Sequence, residues 1–370
     1  MHLRKLYWIL EHEAKSKRFC RKMQHFCLIY CHIVYIILSF NLQSNKSILI
    51  FIHGKGELKM EQNTIAIIWD FDKTLIDGYM QDPIFKKYNI DGNAFWKEVN
   101  ALPDTYMAQG IKVNKDTIYL NHMLTCVSQG MFEGLNNKML QELGKELVFY
   151  PGVPEIFATL KELMLEEKYQ KYGIHVEHYI ISTGLTAMIK GSKINEFVED
   201  IWGCEFIENP ILSKMVPVKS IEESNVIKQT GYLIDNTSKT RAIFEINKGA
   251  NKYDYIDVNS SMSKDDRRVP FEHMIYIADG PSDVPVFSVL QQYGGKTFAI
   301  YPAGDQKAFA QVDSLSKDRR IDMYAEANYS KGTTAHMWLT TKTLEIADSI
   351  YQSREEEIKS AVKPSPKHLV

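Results

Sequence analysis

The sequence predicts an α/β fold, a three-layer Rossmann-like parallel sheet core carrying an inserted α-helical cap. Three observations lead there. Short apolar runs of strand character alternate with amphipathic segments. The first run, "IAIIW" at 65–69, shows no polar alternation and reads as a strand buried on both faces. More than 100 residues separate it from the next run, far more than a crossover needs.

Taken in order, the expected strands are Ile65–Trp69, His178–Ser182, Cys204–Ile207, Met274–Ala278 and Thr297–Tyr301. Between them Val153, Ile156, Phe157, Leu160 and Leu163 are spaced for one helical face. Residues 79–148 are rich in helix formers and aromatics and read as the cap, which leaves the sheet after Asp77-Gly78. The chain returns at "YPGVP", 150–154, where Pro and Gly set a turn. The expected division is an extension at 1–59, a core at 60–78 and 149–350, the cap at 79–148 and a charged tail at 351–370. Residues 251–272 read as a polar loop, and "IDMYAEANYS", 321–330, as an edge strand leading into a helix.

Composition narrows the function classes. Hydrophobic residues make up 45% and charged residues 24%, ordinary for a globular protein. The net charge of −2 and the lack of a long basic block argue against nucleic acid as a partner. Five scattered cysteines form no disulfide framework or C-x-x-C pair, so a reducing cytoplasm is the expected location.

The first 59 residues differ from the rest. They hold ten Lys/Arg against three Glu, no Asp and no Pro, while residues 60–370 carry a net −9. "FCLIYCHIVYIILSF", 26–40, is a fifteen-residue apolar run after a basic region, shorter than the ~20 residues a spanning helix needs. "KGELKM", 55–60, can be encoded with a bacterial ribosome-binding sequence just before the Met60 codon. Met60 is therefore expected to be the start, with 1–59 as translated upstream sequence; a membrane anchor or a folded extension are the alternatives.

Four elements carry chemistry: Asp70-Phe71-Asp72-Lys73-Thr74; "YIISTG" with Ser182 and Thr183; Lys239 opening the helix of "SKTRAIFEINKG"; and "YIADGPSD" with Asp279 and Asp283. In a doubly wound sheet ligands bind beyond the carboxyl ends of the strands, and Asp70, Ser182 and Asp279 sit at such ends. Each element alone also has a plain structural reading. A D-x-D or Asp-Gly pair can be a turn, Asp283 before Pro285 can cap a helix, and Ser182 can be a satisfied strand-end hydroxyl. Lys228 and Lys248 compete with Lys239. The order of the four is what lifts them together.

That order, D-x-D-x-T, then Ser/Thr, then Lys, then D-G-x-x-D, resembles the haloacid dehalogenase superfamily of phosphotransferases over about residues 62–302. The cap position and "YPGVPEIFATLKEL", 150–163, are similar to its phosphoserine-phosphatase-like members. Phosphate monoesters need up to ~10²¹-fold acceleration, and one general acid supplies only about 10²–10⁴. A covalent aspartyl-phosphate divides that barrier into two steps.

The resemblance implies Asp70 as nucleophile and Asp72 as acid, then base. It implies Mg²⁺ bound by the carboxylates of Asp70 and Asp279, the carbonyl of Asp72 and, through water, Asp283. Ser182 and Lys239 would hold the phosphoryl oxygens, with backbone N–H groups near Phe71, Asp72 and Thr183 completing the cradle.

The implied activity is a Mg²⁺-dependent phosphomonoesterase acting on a small molecule. A phosphomutase or a non-catalytic regulatory relative are the alternatives. Ala278 replaces a glycine common before the metal aspartate. No arginine occurs from residue 22 to residue 240, so the cap lacks the preferred clamp for a substrate carboxylate. Of Tyr79, Phe85, Tyr88, Phe95, Trp96, Tyr106 and Tyr119 most read as core, and the one or two expected to line the cleft would suit an uncharged leaving group such as a sugar or nucleoside.

Overall fold

The computed structural model describes residues 52–53, 57–58, 61–211 and 225–361. Ile52–His53 and Glu57–Leu58 form a short antiparallel ladder within a first compact unit, Met1–Leu58; the second unit is Lys59–Val370. The apolar run at 26–40 and the expected start at Met60 lie outside the described residues. Among the described residues no helix is long and apolar enough to cross a membrane.

The second unit is built on a parallel sheet of six strands. These are β1 (Thr64–Trp69), β2 (His175–Leu185), β3 (Val198–Cys204), β6 (Met274–Ala278), β7 (Lys296–Tyr301) and β8 (Met323–Glu326). Their order is β8-β7-β6-β1-β2-β3. β1 and β6 are buried along their whole length, as their unbroken apolar runs require. Helices Glu155–Glu162 and Thr334–Ala361 pack together, as do Lys239–Lys248 and Val284–Gln292, and both pairs include a helix packed on the sheet.

The core is aromatic where β1 meets the first helix pair. Trp69 stacks on Phe157 at 4.9 Å and meets Tyr329 edge-on at 5.6 Å. Its indole N–H donates to Nδ1 of His178 (3.2 Å), and Nε2 of His178 donates to the Phe157 carbonyl (3.0 Å). Burial pushes that imidazole down to about 3, so it stays neutral and serves packing.

The expected sheet is present, with one correction. The expected strand Cys204–Ile207 is two elements. The main-sheet strand is β3, ending at Cys204, while β4 (Phe206–Ile207) pairs antiparallel with β5 (Gln229–Thr230) in a separate ladder. Glu199 and Asp200 break the apolar pattern because β3 is an edge strand with its first half partly exposed.

The last helix runs through Ala361, well into the expected charged tail at 351–370. Arg354 donates to the Asn63 side chain (2.9 Å), and Glu355 accepts from both Lys171 and Tyr172, which ties the charged turn to the body.

Within residues 79–148 the chain forms four helices, α1 (Asp82–Tyr88), α2 (Gly92–Met107), α3 (Ile118–Ser128) and α4 (Asn137–Gly144). It leaves and returns side by side: Tyr150 N–H donates to Leu75 O (2.9 Å) and Asp77 N–H to Val148 O (3.3 Å). The β4–β5 region joins this helical layer. Ile227 N–H donates to Leu135 O (3.0 Å), and Asn114 Nδ2 donates to Asp235 (2.9 Å).

Candidate active site

After β1 the chain runs β2 and β3 to one side, then returns to place β6 on the other. The switch point lies between β1 and β6, where such sheets bind ligands. Asp70 follows β1 and Asp279 follows β6, and the Asp70 N–H donates to Ile277 O (2.8 Å), locking the two strand ends in step.

The loop after β1 is shaped for one purpose. Lys73 adopts φ 58°, uncommon for a residue with a side chain, and its N–H donates to Gly78 O (3.1 Å). Thr74, fully buried, donates its hydroxyl to Asp70 Oδ2 (3.1 Å). The Met80 N–H donates to Asp72 Oδ1 (3.0 Å), so the start of the helical layer orients that carboxyl.

Lys239 arrives from the other side of the sheet. Asp235 accepts the N–H groups of Thr237 (3.1 Å) and Ser238 (2.7 Å), a turn that leads into the helix beginning at Lys239. Lys239 shares the buried face of Ala242, Ile243 and Ile246, so its chain is forced inward. Nζ donates to Asp70 Oδ1 (2.8 Å) and Asp283 Oδ1 (2.7 Å). Asp283, 0% exposed, also accepts from the Tyr276 hydroxyl (2.6 Å) and from Ser282 Oγ (2.9 Å). Of the competing lysines, Lys248 donates to the carbonyls of Val258 and Ser260 instead.

Carboxylate oxygens of Asp70, Asp279 and Asp283 lie within 4.8 Å of one another. Two buried carboxyls, Asp70 and Asp283, and the half-buried Asp279 crowd one buried lysine and disfavour one another's charge. Burial pushes Asp70 up to about 6, with Lys239 pulling down and Asp283 adding to the rise. Asp279 rises to about 7, through burial and then through Asp70 and Asp283. The same forces hold Asp72 well above the ordinary carboxylate range, burial first and Asp70 second. An all-oxygen, anionic set of this kind fits a hard divalent cation such as Mg²⁺. Asp72's carboxyl stands outside the converging three and turns to Met80.

Ser182 is buried, and its hydroxyl accepts from the Gly184 N–H (3.0 Å). The Thr183 carbonyl accepts from the Tyr119 hydroxyl (2.8 Å), joining β2 to the helical layer. A cavity of about 140 Å³ adjoins Asp72 and is walled by Tyr79, Gln81, Trp96, Tyr119 and Thr183, among others. Tyr79, Trp96 and Tyr119 are therefore cleft aromatics, while Phe95 belongs to the core.

Three site residues had no role assigned from the sequence. Thr74 stands inside the first motif, four residues from the carboxylate it bonds. Tyr276 reads as an ordinary strand aromatic until its hydroxyl meets Asp283. Gln81 carries no signal beyond lying next to Met80.

No family model matches the chain. It is 38% identical over 290 residues to an uncharacterized protein of Borreliella burgdorferi, across 76% of this chain and 97% of that one. A parallel α/β sheet with a lysine-bridged carboxylate cluster at its switch point is thus the class of protein in hand. Within that class, the chain belongs to the family of this Borreliella protein.

Among solved structures it is similar to a HAD family hydrolase from Salmonella enterica serovar Typhi. That match has 13% identity and a TM-score of 0.43, over 76% of this chain and 72% of that one. It is also similar to a phosphoserine phosphatase captured as a phospho-aspartyl intermediate analogue, at 14% identity and TM-score 0.39, over 71% and 93%. Cytosolic 5′-nucleotidase IIIB bound to cytidine is a third, at 13% identity and TM-score 0.41, over 80% and 88%.

Proposed function

We propose that the chain is a Mg²⁺-dependent phosphomonoesterase of the haloacid dehalogenase superfamily, working through a phosphoryl group carried on Asp70. The observation that carries this reading is the arrangement of Asp70. Its carboxylate is fixed by Thr74 and Lys239 at the switch point, beside an Asp72 whose raised pKa keeps it a proton donor.

Asp70 attacks phosphorus through a carboxylate oxygen, and the ester P–O bond breaks. Asp72 gives its proton to the departing alkoxide. Asp72, now ionised, takes a proton from water; the resulting hydroxide attacks phosphorus, the bond to Asp70 breaks, and inorganic phosphate leaves. Lys239, held cationic by its two carboxylate partners, supplies positive charge beside the nucleophile. Asp70, Asp279 and Asp283 would hold Mg²⁺, which when bound neutralises the carboxylates and phosphate and fixes their approach. Ser182 and backbone N–H groups near Phe71 and Thr183 are proposed to receive the phosphoryl oxygens.

The test is hydrolysis of phenyl phosphate followed by release of inorganic phosphate. We expect Asp70→Asn to abolish turnover, Asp72→Asn to lower it by about 10²–10⁴-fold, and EDTA to silence the wild type until Mg²⁺ is restored. Full turnover by Asp70→Asn would remove the covalent mechanism. Transfer back to substrate without phosphate release would make the enzyme a mutase.

A further inference from the structure

Asp283 is a fully buried carboxylate met by three donors. Lys239 Nζ (2.7 Å) and the Tyr276 hydroxyl (2.6 Å) donate to Oδ1, and Ser282 Oγ (2.9 Å) donates to Oδ2. The three hold it with unequal stiffness. Ser282 precedes Asp283 in the same short turn and moves with it. Lys239 arrives on a flexible aliphatic stem and divides its ammonium between Asp283 and Asp70. Tyr276 comes from the sheet itself. It lies inside β6, paired with Ile68 of β1 on one side and Thr297 of β7 on the other. Its ring is fully buried and meets Phe287 edge-on at 5.6 Å.

Packing accounts for the ring of Tyr276 but not for its hydroxyl. A phenylalanine would fill nearly the same space, and a buried hydroxyl is costly unless it is hydrogen-bonded. Among the described residues its hydrogen bond goes to Asp283.

We propose that Tyr276 is a positioning residue for the cation site, its hydroxyl fastening Asp283 to the sheet. The proposal rests on the phosphomonoesterase reading and deepens it. A hydrogen-bonded line runs from the interior of β6 through Tyr276, Asp283 and Lys239 to Asp70. With Oδ1 held against Lys239 and Tyr276, Oδ2 accepts from Ser282 and keeps lone-pair capacity for a divalent cation or a water on it. A group that touches a metal-binding carboxylate, and not the metal, typically governs about 10–100-fold of metal affinity.

The experiment titrates Mg²⁺ into the metal-free full chain at pH 8 by calorimetry. Tyr276→Phe keeps the ring and is expected to raise the Mg²⁺ Kd by about 10–100-fold. Its turnover of phenyl phosphate should fall at a Mg²⁺ concentration that just saturates wild type. Raising Mg²⁺ by the same factor should return it to within about threefold of wild type. The control is Phe298→Leu in β7. Phe298 pairs with Ile277, so it lies on the opposite face of the sheet from Tyr276, where it stacks on Trp338. This variant should lower Tm and leave the Mg²⁺ Kd within about threefold. On an Asp283→Asn background Tyr276→Phe should add no further loss, because it acts through that carboxylate.

A Tyr276→Phe Kd within about threefold of wild type, an equal rise in Phe298→Leu, or a full further loss on the Asp283→Asn background would each overturn the proposal. Should Tyr276→Phe not fold, Ser282→Ala decides, since Ser282 is exposed. A Kd close to wild type supports the anchor at Tyr276, and a rise of about tenfold or more overturns it. A wild type that binds Mg²⁺ but hydrolyses no phosphate ester would instead bring down the phosphatase reading, and the titration would still decide the role of Tyr276.

Discussion

At Asp70 two demands oppose each other. A nucleophile must be ionised, yet burial lifts this carboxyl from the ordinary 3.8 to about 6, and Asp279 beside it to about 7. Both groups keep their protons in the folded chain at pH values where the unfolded chain has lost them. Their contribution therefore falls as pH rises from about 4 through about 7, and the metal-free protein is destabilised across that window. A divalent cation reverses the sign by displacing the protons.

Thermal unfolding with and without Mg²⁺ checks this. At pH 8 a Mg²⁺ concentration 100 times the Kd should raise Tm by roughly 5 °C or more, since such binding adds ~2.7 kcal/mol. At pH 5 the gain should nearly vanish, because protons compete for the same oxygens. Equal gains at both pH values would show that the cation binds elsewhere. Of this site, Asp70, Asp72, Asp279 and Asp283 were legible in the sequence because paired acids at the ends of apolar runs are conspicuous. Tyr276 and Gln81 were not, because their roles depend on partners far away or on a cavity that no local pattern describes.

At the scale of elements, the helical layer is fastened to the core where α4 crosses the helix Thr186–Gly191 that follows β2. The crossing works only with glycine on both sides. A Cβ on Gly144 would stand 2.1 Å from Met188 O, and one on Gly191 would stand 1.7 Å from Gln141 O, distances that backbone cannot absorb without moving. Gly191→Ala is expected to cost about 1–3 kcal/mol, read as a lower urea midpoint with an unchanged slope. It should also raise KM, because the displaced layer carries the Met80 N–H that orients Asp72. An Ala variant as stable as wild type would show that the crossing can open freely. The sequence shows a helix-rich stretch here. That Gly144 within it meets Gly191 beyond β2, and that the β4–β5 region bonds to it through Ile227 and Leu135, emerges only from the packed structure.

Across the whole molecule, chemistry and a buried ionic clasp occupy opposite ends of the sheet. At the amino end of β2, Glu177 accepts from Arg268 (2.6 Å) and also from the Tyr179 hydroxyl, joining that strand to the loop ahead of β6. Burial pushes the Glu177 carboxyl up, but His175, the Arg268 guanidinium and the Tyr179 hydroxyl together hold it well below the ordinary range, so this contribution is present above about pH 4.5 and is lost on acidification. Arg268→Met leaves a buried carboxylate with only His175 beside it and is expected to cost about 3 kcal/mol. The double change Arg268→Met with Glu177→Leu should recover most of that loss. Denaturant titration of the four proteins of this cycle checks the claim, and additive losses would refute a shared clasp.

What the sequence by itself determined is the parallel α/β architecture and the line of acidic residues along it. Apolar runs too hydrophobic to alternate must be covered on both faces, and carboxylates placed at their ends must face a common edge. What only the tertiary structure decided is which cation meets them and what surrounds the reacting group. Lys239 reaches Asp70 across 169 residues because its helix turns that face inward. Gln81, just before α1, and Trp96, within α2, come to line one cleft with Asp72 only because the helical layer packs beside it. Burial and long-range pairing are properties of packed elements, and no local stretch of sequence encodes them.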